Sequence, residues 1–147
     1  MERQMATAEL VELGIINIKL GDFLEVGDGP KGTRLVVEVR EASLESERVN
    51  ASLATRDAAD WGTVSDNGKL MSLDVRFTLK TDDGEFIYVE YCGRGSLETG
   101  LIGAAPTFQT GSEKYSWLNT VQGAMAGQAN LETGELVYRL YELKVTA

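Results

Sequence analysis

From residue 70 to residue 80 the chain alternates strictly. Met71, Leu73, Val75, Phe77 and Leu79 fall on one side and Ser72, Asp74, Arg76, Thr78 and Lys80 on the other, the two-residue period of a β-strand with unlike faces. Asn67-Gly68 just before it is a tight-turn signal, because both residues tolerate positive φ. Thr81-Asp82-Asp83-Gly84 ends the run, and a second strand covers residues 85 to 91. A two-residue Asp83-Gly84 loop would set Phe77 opposite Glu90 and bury a carboxylate among hydrocarbons at a cost of several kcal/mol, of order 2–7. A three-residue loop with Gly84 left-handed instead pairs Leu79 with Ile87, Phe77 with Val89, Thr78 with Tyr88 and Arg76 with Glu90. The second register matches apolar to apolar and is the one predicted.

The rest of the chain gives further short β-rich runs between turn signals. Residues 15–19 are rich in β-branched side chains, and Leu35, Val37 and Val39 alternate with polar neighbours after the glycine-rich loop 27–32. A short strand is predicted within 48–54. The glycine-rich stretch 93–105 reads as a loop. Residues 107–111 and 115–119 read as strands, the latter with Tyr115, Trp117 and Asn119 on one face. Residues 124–131 and 135–145 pair across Glu132-Thr133-Gly134, and the last of these carries apolar residues on both sides, as a strand covered on two faces would. Only residues 2–12 have helix-forming composition, with no glycine or proline. The pattern predicts residues 1–12 as a tail or short helix and residues 13–147 as one all-β domain. Roughly eight to ten strands fit a single antiparallel β-barrel or a two-sheet sandwich, and closure into a barrel removes the exposed edges that invite aggregation.

Composition narrows the chemistry. The 147 residues suffice for one core without disulfides, and Cys92 is the single cysteine. With no histidine in the chain, Ser–His and Cys–His nucleophiles and tetrahedral zinc sites are excluded. No metal site and no organic cofactor are expected. Fourteen basic against twenty-three acidic side chains give a net charge of −9, which disfavours nucleic acid and anionic membranes as partners. Without an apolar run of about 20 residues or a signal-peptide pattern, a cytoplasmic protein is expected. A homodimer is the expected oligomeric state.

The block Ala59-Asp60-Trp61, then Asn67-Gly68, the run from Leu73 to Gly84, and Ile87-Tyr88-Val89 resembles the core signature of domain-of-unknown-function family 3237. A second block, Pro106 to Gly111 followed by Tyr115-Ser116-Trp117-Leu118-Asn119, is similar to that family's other signature. The resemblance implies a compact antiparallel β-barrel with a lumen and carries no general activity with it. Between Tyr91 and Pro106 the chain departs from the pattern, being shorter and different in composition from the arginine-containing insert expected of relatives.

Asp74 and Arg76 share a strand face, and the predicted register sets Tyr88 and Glu90 beside them. If that face lined a lumen, a carboxylate, a guanidinium and a phenol would form an acid–base group; if it faced water, it would be a solvated surface with an Arg76–Glu90 pair worth at most about 1 kcal/mol. Asp60-Trp61 can place a carboxylate at a barrel rim beside an indole wall, or Trp61 can be core. Tyr115, Trp117 and Asn119 can shape a pocket, or form an aromatic cluster capped by an amide–backbone hydrogen bond. Cys92 reads as a passive thiol, and Gly93-Arg94-Gly95-Ser96 lacks the ending and the following helix of a phosphate loop. The function expected is a lumen that binds a small organic molecule and performs cofactor-free acid–base chemistry of isomerase, hydratase or lyase type. Asp74 or Asp60 would be the base, with Tyr88 and Arg76 stabilising charge on oxygen and Trp61, Glu90, Tyr115, Trp117 and Asn119 around the ligand. The alternatives are a carrier or sensor without a reaction, or a structural barrel.

Overall fold

The computed structural model describes residues 3–147. Nine strands run antiparallel: β1 (Thr7–Gly29), β2 (Gly32–Glu45), β3 (Asn50–Leu53), β4 (Ala59–Ser65), β5 (Leu70–Thr81), β6 (Phe86–Ser96), β7 (Leu101–Gln109), β8 (Gly123–Asn130) and β9 (Glu135–Thr146). A 3-10 turn, Ser116–Thr120, lies between β7 and β8. The 23-residue β1 pairs with β9 on one side and β2 on the other, and so closes the sheet into a barrel. β3 and β4 each pair with both β2 and β5, so together they fill one position in the wall, interrupted at residues 54–58.

The alternation of β5 decides where the core sits. Met71, Leu73, Val75, Phe77 and Leu79 are all buried, and β6 meets them in the register expected from the Gly84 turn, Arg76 opposite Glu90 and Phe77 opposite Val89. Gly84 has φ +92°, the left-handed conformation that the turn needs. Ile16, Leu44, Ile87, Val89, Tyr138 and Leu140 are at most 1% exposed and complete an interior packed with hydrocarbon. Each such side chain contributes roughly 1.5–3 kcal/mol of burial free energy.

Four local expectations give way to tertiary pairing. In place of a helix within 2–12, strand begins at Thr7 and pairs with β9 down to Thr146; Glu2 lies outside the described residues. The glycine-rich stretch 93–105 is the end of β6, a turn and most of β7. Gly93 there serves close approach, since a Cβ on it would come within 2.4 Å of the Gly103 carbonyl oxygen. Residues 115–119 form the 3-10 turn and not a strand, with Leu118 driven to 1% exposure. β9 is covered on one face only: Leu136, Tyr138 and Leu140 are buried, whereas Val137 is 48% exposed.

The two ends of the barrel differ. At the end holding the β5–β6 turn, Tyr115, Leu118 and Val121 join the core. Asn119 clips Thr110 by accepting its N–H at 2.8 Å and donating to its carbonyl at 2.9 Å. Tyr115 donates its hydroxyl hydrogen to Asp83 at 2.9 Å, and Lys114 pairs with the same carboxylate at 2.7 Å. The opposite end carries the β1–β2, β4–β5, β6–β7 and β8–β9 turns and, among the described residues, has no such plug.

Candidate functional site

A cavity of about 60 Å³ enters the barrel from the unplugged end, between Phe23 of β1, Leu97 of the β6–β7 turn and Leu131 of the β8–β9 turn. Its lining is almost wholly apolar. The exceptions that matter are Asp60, Tyr91 and Tyr138, with Ser96 nearer the rim.

Asp60 is inward because β4 alternates like its neighbours: Asp60 and Gly62 are buried, while Trp61 between them turns out. Asp60 sits beside Val37 of β2 and Val75 of β5, and Val75 in turn sits beside Tyr91 of β6. Around Trp61 and Gly62 the β4–β5 ladder loses its pairing. Asp60 takes over one of the freed donors, accepting the Asp74 backbone N–H at 3.0 Å. Arg34 covers the freed carbonyls, donating to Trp61 at 2.6 Å and to Gly62 at 3.3 Å. The carboxylate is 8% exposed and is the only charged side chain among the buried ones described. Burial pushes its pKa up to about 6; the Asp74 N–H opposes that rise and the Asp74 charge adds to it.

Tyr91 and Tyr138 meet edge to face with ring centroids 5.6 Å apart. Tyr138 lies over Gly127, where a Cβ would be 2.5 Å from its ring carbons. Burial raises both phenols well above the usual tyrosine range, and the Asp60 charge pushes each further. They therefore stay protonated and act as donors. The Tyr138 hydroxyl is buried beside the Tyr91 phenol, and hydrogen bonding between the two phenols offsets part of the rise that burial imposes on Tyr138. Among the described residues, no three His, Cys, Asp or Glu side chains gather as metal ligands would.

The residues singled out in the sequence divide between inside and outside. Asp74, Arg76 and Glu90 are exposed and Tyr88 is half-buried, on the outer face of β5 and β6. The expectation that this polar face lines the lumen is corrected, because the hydrocarbon on the opposite parity takes the interior. The outer group is nonetheless assembled. Tyr88 donates to Glu90 at 3.1 Å, and the Arg76 guanidinium stacks 4.3 Å from the centroid of the Trp61 ring, so Trp61 is a surface partner and not a pocket wall. Tyr115 and Asn119 belong to the plug, and Trp117 is stacked under Arg48 at 3.5 Å. Only Asp60 lies in the cavity. Tyr91 and Tyr138 were missed, although each continues an apolar parity, Ile87-Val89-Tyr91 and Leu136-Tyr138-Leu140, which is the available signal.

Solved structures with this fold include a β-barrel-like protein of Acinetobacter baumannii, with TM-score 0.84 and 25% identity over 97% of this chain and 100% of that one. An enzyme from Penicillium herquei has TM-score 0.66 and 20% identity over 98% of each chain, a likeness of fold alone. In sequence, a UPF0311 protein of Rhodopseudomonas palustris is 23% identical over 93% of this chain and 97% of its own length. The family model described as "Protein of unknown function (DUF3237)" matches residues 9–143, and the chain belongs to that family of β-barrel proteins.

Proposed function

We propose that the lumen binds a small organic molecule and that Asp60 moves a proton on it, without a metal or organic cofactor. The observation that carries this reading is a buried carboxylate, with no cation beside it among the described residues, that lines together with Tyr91 and Tyr138 a cavity opening at one end of the barrel. Burying such a group costs stability, and a barrel packed only for stability would hold valine there. A base whose pKa is about 6 is largely ionised near neutral pH yet close enough to that pH to give its proton back. Tyr91 and Tyr138 supply donors for negative charge developing on a ligand oxygen, the division of labour known for carboxylate bases with phenolic oxyanion holes. Asp60, one of the two bases expected from the sequence, takes the role, and the outer Asp74–Arg76–Tyr88 group is left to the surface. The enzyme from Penicillium herquei supports the fold's capacity for catalysis only.

The test is saturation-transfer NMR with a panel of uncharged fragments, on the protein and on a Gly95→Leu variant that fills the cavity wall. Signals present in the first and lost in the second are expected; fragments that ignore both proteins, or bind them equally, defeat the reading. A carrier without a reaction is distinguished by the bound fragment being recovered unchanged, with no deuterium taken up from D2O after long incubation, from both the protein and its Asp60→Asn variant.

A further inference from the structure

The outer wall of the barrel is uneven in a way that the lumen does not explain. Pairing of β1 with β2 begins at Ile15, whereas its pairing with β9 runs on from there to Thr7. β8 leaves β9 at Glu142. Residues 7–10 and 143–146 therefore form a two-stranded ribbon that stands past the rest of the barrel, and such a ribbon is marginal in water unless something covers one of its faces.

Strand parity decides which face needs the cover. Leu136, Tyr138 and Leu140 of β9 point into the barrel, so Val137, Arg139, Tyr141, Leu143 and Val145 point out. The register sets Leu10 beside Leu143, Glu12 beside Tyr141 and Ile15 beside Arg139 on that same outward side. An apolar stripe results, running from Val145, Leu10 and Leu143 on the ribbon to Tyr141, Ile15 and Val137 on the barrel wall. Leu10 and Val145 are 56% and 60% exposed. A strand covers about 27 Å over the steps from Val137 to Val145, and apolar surface gathered over such a length marks an interaction site where scattered residues would not. The opposite face of the ribbon carries Thr7, Glu9, Lys144 and Thr146 and suits water.

Charge identifies the occupant. In a chain of net charge −9, the outward positions of β1 from Ala8 to Asn17 and of β9 from Val137 to Val145 hold one acid, Glu12, and one base, Arg139. Both are exposed, and among the described residues neither forms an ion pair within the chain. Glu12 faces Tyr141, and Arg139 is the next outward residue of β9, so the two charges lie diagonally across the ladder. A two-fold axis passing between them lays Glu12 of each copy against the partner's Arg139, making two ion pairs in one contact and packing stripe on stripe. The exposed apolar residues at the mouth are different, because Phe23, Leu24 and Val26 are interleaved with Asp22, Glu25 and Asp28, and two copies meeting there would set acid against acid. We infer that the outer face of β1 and β9 is the contact surface of a homodimer, with Glu12 and Arg139 fixing its register.

Sedimentation velocity of the full chain at pH 7 is expected to show twice the mass of one chain. Arg139→Glu and Glu12→Arg each set like charges across the axis, and each is expected to weaken the dimer at least about tenfold. Mixed in equal amounts, these two variants carry opposite charges at both positions and are expected to form a heterodimer of near-original affinity, which a role of either residue within its own chain would not produce. Val145→Lys is expected to weaken the dimer with the circular dichroism spectrum unchanged. A chain that stays monomeric up to about 1 mM overturns the proposal; if that monomer floats with phosphatidylcholine vesicles and Val145→Lys does not, the stripe is a membrane surface instead. A dimer indifferent to all three substitutions uses another surface and overturns it equally. A dimer lost in Val145→Lys but indifferent to both charge reversals keeps the face and overturns the register.

Discussion

The two ends of this barrel hold two aspartates whose environments push in opposite directions. Asp83, at the plugged end, is surrounded by Lys114, Thr81 and Tyr115, and those hydrogen bonds and the lysine charge hold its carboxyl far below the usual carboxylate range. Asp60, at the foot of the open cavity, has one backbone N–H and no cation, and burial holds its carboxyl above that range. One carboxylate helps fasten a turn to the barrel, while the other weakens the barrel that contains it. Ionisable groups that stabilise are expected where nothing needs to enter, and groups that destabilise are a mark of function.

That contrast can be broken or sharpened by experiment. The largest effect is expected at the plug: Leu118→Ala removes a side chain that is 1% exposed and should cost about 2–5 kcal/mol of unfolding free energy, read by urea denaturation, whereas Leu131→Ala at the mouth should change it by about 0.5 kcal/mol or less. Parity between the two would mean that the ends are not different in kind. Next comes the Asp60 penalty. A carboxyl whose folded pKa, about 6, exceeds its unfolded value near 4 loses stability as pH rises through that interval. Relative to Asp60→Asn, the protein should lose about 2 kcal/mol between pH 4 and pH 7; a difference that is flat with pH would show Asp60 to be an ordinary carboxylate. Gly127→Ala, which sets a methyl against the Tyr138 ring, should cost about 1–3 kcal/mol and move the Tyr138 ring signals in the NMR spectrum. The smallest effect is expected from Lys114→Met: a slight drop in melting temperature that salt diminishes, since the Asp83 pair lies in water.

The β5–β6 register was legible because two constraints coincided, a strict alternation and a turn whose glycine sets the loop length. The side that faces inward was legible too in principle, since a barrel of this size is filled by side chains and the hydrocarbon of Phe77 and Leu79 has nowhere else to go. Reading Asp74 and Arg76 as lumen residues set an appealing chemistry above that packing requirement. Asp60 was within reach as a residue but not as a depth, because a short strand reading Asp-Trp-Gly has too few apolar positions to announce its parity. The strand character of 93–105 and the 3-10 turn at 116–120 were beyond local reading. Gly93 in the first serves an approach between strands that only the fold brings together, and Leu118 in the second is held by the barrel end it closes.

β3 and β4 share a single place in the wall, separated by residues 54–58. The joint is itself tied to both neighbours, Val39 donating to the Ala58 carbonyl and Ala54 to the Thr78 carbonyl, so the two pieces act as one stave. Asp60 stands one residue into the second piece, so its place in the wall is held from both sides by a strand that has no length to spare.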